Sequence, residues 1–223
     1  RGLVPTDHFR RQVATHYKVP AEYAERIRTS HPQLYAETFN TFLQKEPATR
    51  MIRTIDGKAR AFLSDRFRPL DNHDLMEAVL PALMDQPAIE IKSIDISDNK
   101  FYLKAVFPKI QTEIRKGDVV QIGLSIGNSE TGDGALSVVP LIYRLYCLNG
   151  MIAVSDFGAR KAHLGRRNTA ENNIEEFLTD STRRLDDAAF FAKTRDVVRG
   201  ILSDLTLEKI ASRMREATEQ KIE

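Results

Sequence analysis

The sequence contains few of the features that identify a secreted protein, a membrane protein or an enzyme of a familiar class. Its single cysteine, Cys147, excludes a disulfide within one chain, a usage typical of a reducing compartment. No apolar run reaches the roughly 18 residues of a membrane span. The chain starts at Arg1 with neither an initiator Met nor a signal-peptide pattern, so we expect it to be part of a longer protein. We predict a soluble, cytoplasmic protein with no membrane partner.

An excess of charge of one sign is also missing. The chain of 223 residues has 33 Lys and Arg against 31 Asp and Glu, which gives a formal net charge of +2. Affinity for a polyanion must therefore come from local clusters of cations, because overall charge contributes little. At 42% hydrophobic residues, the chain has enough apolar material for a substantial folded core.

Motifs that bind a cofactor or a catalytic metal are absent as well. There is no Gly-x-x-x-x-Gly-Lys-Ser/Thr phosphate loop, no Gly-x-Gly-x-x-Gly after a strand and no His-Glu-x-x-His. Residues 123–127, Gly-Leu-Ser-Ile-Gly, carry a spaced-glycine signature, but they fall inside an apolar strand rather than at a strand-to-helix turn. We therefore predict no catalytic residue, no cofactor and no metal.

The order of the patterns predicts an α+β fold in which an antiparallel β-hairpin sheet packs against a long helix, with helical N- and C-terminal segments. The predicted domains are a helical N-terminal segment over residues 1–46, an α+β core over residues 47–203 and a C-terminal helix over residues 204–223. In order, the predicted elements of the core are a hairpin (50–66), a helix (71–84), a second hairpin (89–107), two central strands (119–129 and 135–148) joined by a Gly-rich turn, and a long helix (169–202).

Two basic segments are the candidate binding sites. In the first, residues 157–170 contain no Asp or Glu, and their cations are Arg160, Lys161, Arg166 and Arg167. Guanidinium groups there would grip a sugar-phosphate backbone, although a solvated loop explains the same composition. The second segment interleaves Phe67 with three arginines: Arg60, Arg66 and Arg68. A mixture of cations and aromatics is typical of single-strand binding, whereas the phenylalanines also suit a core.

Three segments resemble the phage- and plasmid-borne family designated domain of unknown function 932. They are residues 60–72 (RAFLSDRFRPLDN), 125–134 (SIGNSETGDG) and 143–150 (YRLYCLNG). The resemblance covers residues 7–199 and implies a mobile-element context without prescribing an activity. The hairpins followed by a long helix are similar in outline to single-strand annealing proteins of the Redβ and RecT type. That topological resemblance implies rings or filaments that bind single-stranded DNA and pair complementary strands without nucleotide hydrolysis.

The sequence thus predicts an oligomeric protein that binds single-stranded DNA and anneals strands for recombination in a phage or plasmid. One alternative is a protein-interaction or assembly module of a mobile element, which would use the amphipathic terminal helices. Another is a metal-dependent nuclease that would use Asp71, Asp74 or Asp133, although helix capping and turn chemistry account for these acids.

Overall fold

The chain divides into two compact units, which we describe from a computed structural model. The smaller unit comprises residues 1–68 and 131–133, and the larger comprises residues 69–130 and 134–223. The structure describes residues 2–65, 67–145, 150–152, 159–161 and 179–219. The sequence placed a domain boundary before the first hairpin, at residue 46, whereas the units divide after that hairpin, at residue 68.

The smaller unit combines three helices with a three-stranded sheet. Its elements are β1 (Val4–Pro5), α1 (Asp7–His16), α2 (Ala21–Ser30), α3 (Pro32–Lys45), β2 (Arg50–Ile55) and β3 (Lys58–Ser64), with strand order β1-β3-β2. Thr6 caps α1 by accepting a hydrogen bond from the Phe9 amide, and Pro32 opens α3. Asp56 and Gly57 join β2 to β3 with φ values of 48° and 74°, the left-handed conformations that a tight hairpin requires.

The described residues of the larger unit form a six-stranded antiparallel sheet and three helices. Its elements are α4 (Asn72–Met84), β4 (Glu90–Ile96), β5 (Phe101–Arg115), β6 (Asp118–Asn128), β7 (Leu136–Arg144), β8 (Gly150–Ile152), β9 (Ala159–Lys161), α5 (Asp180–Ile201) and α6 (Asp204–Glu219). The strand order is β4-β5-β6-β7-β8, and β9 also pairs with β7. The expectation of a mixed fold of helices and antiparallel sheets is confirmed.

One face of this sheet lies in the main core. Along β5, Phe101, Leu103, Ala105 and Phe107 alternate with residues of the opposite face and are all at most 5% exposed. Residues of α4, α5 and α6 join the same core. Helical spacing in the sequence predicts an apolar face of Leu207, Ile210 and Met214 on α6, and this face is confirmed, because Leu207 and Ile210 are buried and Met214 packs against the core. The same spacing places Leu185 in the apolar stripe of the long helix, but Leu185 is 71% exposed, so its inclusion is wrong.

Residues 131–133 of the turn between β6 and β7 belong to the smaller unit. Thr131 is fully buried there, and its carbonyl accepts a hydrogen bond of 2.8 Å from the side-chain amide of Gln12. Gly132 has a φ of +89°, and a Cβ on it would lie 2.7 Å from Leu63 Cδ2. The Gly-rich turn that the sequence marks is thus fixed by close packing as well as by its backbone conformation.

Parts of two predicted elements lie outside the described residues. These are residues 146–148 of the second central strand, which include Cys147, and residues 169–178 of the long helix. Within the described part of the chain, no helix is both long and apolar enough to span a bilayer.

Candidate nucleic-acid interface

The face of the larger sheet opposite the main core, which we call the second face, carries the candidate interface. Tyr102 and Lys104 lie on this face because they alternate along β5 with the buried Phe101, Leu103 and Ala105. Tyr102 keeps 42% of its surface exposed, and Lys104 is exposed as well. An aromatic ring and a cation are therefore presented to solvent about 7 Å apart along one strand.

Gly127 holds the Tyr102 ring against the sheet. The two residues are direct cross-strand partners on β6 and β5. A Cβ on Gly127 would lie 3.2 Å from Tyr102 Cε1 and 3.1 Å from Ser137 Oγ. The absence of a side chain at Gly127 thus lets the ring lie close to the backbone while its outer side stays exposed.

A single cross-strand row connects this ring to a predicted basic residue. Asp95 pairs with Tyr102, Gly127 pairs with Ser137, and Ser137 pairs with Arg160 of β9. Three strand spacings separate Tyr102 from Arg160, a distance of about 14 Å. We call the residues Tyr102, Lys104, Gly127, Ser137 and Arg160 the Tyr102 surface.

Lys92 and Tyr143 form a second aromatic-cation contact on the same face. Lys92 Nζ lies 5.1 Å from the centroid of the Tyr143 ring. Because these residues belong to β4 and β7, their side chains reach across β5 and β6, where Gly123 lies. Glu90 accepts a hydrogen bond of 2.6 Å from Lys92 and thereby raises the pKa of Lys92. Lys92 therefore keeps its proton, but part of its charge is neutralised.

Cations and carboxylates lie together on the part of the second face near Tyr102. Lys92, Lys104 and Arg160 are accompanied there by Glu90 and Asp95, and Glu90 is engaged with Lys92; Glu113 lies farther along β5 on the same face. Neither Lys104 nor Arg160 forms an ion pair with a carboxylate among the residues that the structure describes. Two cations without such a partner, on the same sheet face as an exposed aromatic ring, match the chemistry of single-stranded nucleic-acid sites.

The predicted site residues are distributed over both units. Arg160 is exposed and joins the Tyr102 surface, and Lys161 follows it on β9. Arg60 and Arg68 belong to the smaller unit and are half-buried. The three remaining arginines of the prediction lie outside the described residues: Arg66, Arg166 and Arg167. The proposed roles of all seven cations remain predictions.

Tyr102, Lys104 and Lys92 are not among the site residues that the sequence predicts. The strict alternation of apolar and polar residues from Phe101 to Ala105 does indicate that Tyr102 and Lys104 share one face of a strand. Their importance depends on Gly127 and Arg160, which are brought alongside only by strand pairing.

The spaced glycines of residues 123–127 do not form a nucleophile site. Ser125 lies in the middle of β6, where it pairs with Lys104 on one side and Val139 on the other. A nucleophilic serine of a Gly-x-Ser-x-Gly motif sits instead on a sharp strand-to-helix turn. The strand interpretation of these glycines is therefore confirmed.

The acidic residues considered for a nuclease site are divided between the units. Asp71 and Asp74 belong to the larger unit and Asp133 to the smaller. Among the described residues, one metal-type cluster occurs, at the start of α4: His73, Asp74 and Glu77 have ligand atoms within 4.8 Å, and all three are exposed. Partial burial, and next the neighbouring Asp71, raise the pKa of Asp74. Helical spacing alone brings these side chains together, so the cluster does not identify a metal site.

Comparison of the chain with family models, with curated proteins and with solved structures finds no match in any of the three. The function must therefore be inferred from the geometry of the second face.

Proposed function

We propose that the protein binds single-stranded DNA on the second face of its larger sheet and pairs complementary strands there. The observation that carries this proposal is the exposed ring of Tyr102, held on Gly127 beside Lys104 and in one row with Arg160. It would act as an oligomer of a phage or plasmid recombination system, and it would need neither nucleotide hydrolysis nor a catalytic residue.

Each part of the surface has a separate role in this mechanism. A base stacks on the Tyr102 ring, an interaction of about 1–3 kcal/mol that tolerates any base. Lys104 and Arg160 bind phosphates, and the planar guanidinium of Arg160 forms two parallel hydrogen bonds to one phosphate. Because Tyr102 and Lys104 are exposed, the hydrogen-bonding edges of bases bound beside them would stay accessible to a second strand.

The architecture supports the same proposal. The long helix α5 would back the hairpin sheet on its core side and leave the second face for the DNA. The basic segments that the sequence marks would supply further phosphate contacts: Arg166 and Arg167 follow β9 in the sequence, and Arg60, Arg66 and Arg68 fall within the residue range of the smaller unit.

The experiment that tests this proposal replaces Tyr102 and measures binding to a short, labelled single-stranded DNA by fluorescence anisotropy. We expect Tyr102→Leu to weaken binding by about 5- to 150-fold, the equivalent of the loss of one stacked base. Tyr23→Leu is the matched control, because Tyr23 is 39% exposed and lies beneath a cation, Arg26, but belongs to the smaller unit. Equal affinities of the two variants would refute the assigned site.

A salt titration of the same complex separates stacking from phosphate contacts. Lys104→Gln should reduce the slope of log K against log salt by about 0.7, the share of one phosphate contact to a single strand, whereas Tyr102→Leu should leave the slope unchanged. An RNA of the same sequence, used as competitor, decides which polymer is preferred. Tighter binding of the RNA would contradict the proposed DNA substrate.

A further inference from the structure

We infer that the larger sheet continues from one copy of the protein to the next, with β9 of one copy beside β4 of its neighbour. Both strands are outermost in the part of the sheet that the structure describes, since β4 pairs with β5 and β9 pairs with β7. The occupant of each edge is thus a second copy of this chain.

The directions of the two strands fit this arrangement. From β4 to β9 the sheet passes through β5, β6 and β7, and every neighbouring pair is antiparallel. Four reversals leave β4 and β9 running the same way. A copy displaced sideways across the sheet therefore brings its β9 alongside β4 as a parallel neighbour, with the second faces of both copies on the same side.

The charges at the two ends of the row are complementary. Asp95 ends it on β4 and Arg160 ends it on β9, and both are exposed on the second face. Neither is in an ion pair with another of the residues that the structure describes. Side-by-side continuation places the Arg160 guanidinium of one copy next to the Asp95 carboxylate of the other, and this pair fixes the register. Because a guanidinium has five N–H donors, one edge of it can pair with this carboxylate while another edge binds a phosphate.

The core side of β4 adds an apolar contact. All seven residues of the strand are exposed, and Ile91, Ile94 and Ile96 lie on the core side with exposed fractions of 47%, 56% and 71%. An edge strand with such a row is a template for pairing with another strand. In the continued sheet these isoleucines lie on the side where the neighbouring copy has its helices.

Charge favours this head-to-tail contact over a twofold contact between two β4 strands. A β4–β4 contact brings together two strands that each carry two acids, Glu90 and Asp95, and one cation, Lys92, which is already engaged with Glu90. It also leaves Arg160 without a carboxylate. The β9 edge carries the opposite charge. A head-to-tail contact repeats, so it builds a ring if the rotation closes and a filament if it does not.

Charge reversal at Asp95 and at Arg160 tests the contact between copies. The mass of the assemblies is measured by sedimentation velocity over a range of protein concentrations. Asp95→Arg gives a copy with two basic edges, and Arg160→Asp gives a copy with two acidic edges. We expect each variant alone to associate at a concentration at least about tenfold higher than the parent. An equimolar mixture of the two, and also the double variant, should associate like the parent, because every contact is again between opposite charges.

The outcomes are read without nucleic acid first and then with a short oligonucleotide, so a failure of this contact is distinct from a failure of DNA binding. A parent that stays monomeric in both conditions, single variants that associate normally, or a mixture that shows no recovery each overturns the inference. Circular dichroism and the unfolding midpoint of every variant confirm that it is folded, and the recovery in the mixture cannot arise from misfolded chains.

Discussion

At the scale of single residues, glycine determines the shape of the second face. Gly127 receives the Tyr102 ring, and Gly123 lies on the same face between its cross-strand partners Val106 and Leu141. At Gly123 the limit is set by the backbone itself, because an added Cβ would lie 2.6 Å from the Ala105 carbonyl oxygen of the paired strand β5. A carbonyl within a central ladder cannot move aside without the loss of hydrogen bonds.

We predict that Gly123→Ala lowers the free energy of unfolding by about 1–3 kcal/mol, the usual cost of overpacking. The intrinsic strand preference alone would make the alanine variant more stable, since alanine is favoured over glycine in a strand by roughly 0.5–1 kcal/mol. Urea denaturation at equilibrium gives the measurement. Gly134→Ala is the control in the same unit, because its nearest neighbour would be Ser129 Cβ at 3.8 Å. Equal stabilities of the two variants would show that β5 and β6 are not packed as described.

At the scale of elements, the edges of the two sheets differ in what they are expected to do. β2 is an edge strand of the smaller sheet and exposes Ile52 at 47%, while β4 is an edge strand of the larger sheet and exposes Ile94 at 56%. Similar exposure of the same residue type on two edges provides a matched pair. The continued sheet assigns a partner strand to β4 only.

We predict that Ile94→Lys raises the protein concentration needed for association by at least about tenfold, because a lysine on an edge strand blocks pairing. Ile52→Lys should leave association unchanged. Light scattering over a dilution series of each variant gives the comparison. If both substitutions act alike, or if only Ile52→Lys acts, the apolar row of β4 is not part of the contact between copies.

Local patterns explain which elements were predictable from the sequence. The helix α6 was identified correctly because Leu207, Ile210 and Met214 recur at helical spacing in a short segment. The strand β5 was predicted to end at residue 107, but it continues to Arg115. An irregularity in its pairing between Phe107 and Gln111 interrupts the alternation, so the period of two residues is lost there while the strand goes on.

The candidate site was predictable only in part, because local sequence patterns do not contain contacts between distant strands. Arg160 was identified because its segment lacks acids, which is a local property of the sequence. Tyr102 was missed because its surroundings arise from pairing with Gly127, 25 positions along the chain, and then through Ser137 to β9. Register between distant strands is fixed by the whole sheet, and no window of sequence contains it.

At the scale of the whole molecule, a formal net charge of +2 gives little long-range attraction to DNA. Each copy offers one exposed ring and two cations without a described carboxylate partner, which is a small site. We therefore expect the affinity for a long strand to depend on adjacent copies. When one copy has bound, the next site meets the same strand at a high effective concentration, which raises the overall affinity. The proposed continuation of the sheet would place the Tyr102 surfaces of successive copies on one side, so we expect assembly and strand pairing to be coupled.

We predict that Asp95→Arg binds an oligonucleotide short enough to occupy one copy at least as tightly as the parent. It should nevertheless lose cooperative binding to long single strands and anneal complementary strands at least about tenfold more slowly. Added positive charge alone would have the opposite effect, since it strengthens attraction to DNA. Glu37→Arg makes the same change of charge at an exposed position of α3 and controls for that attraction. Annealing is followed by the loss of fluorescence when labelled strands pair. An Asp95→Arg variant that anneals as fast as Glu37→Arg would show that each copy pairs strands by itself, without a neighbour on its β4 edge.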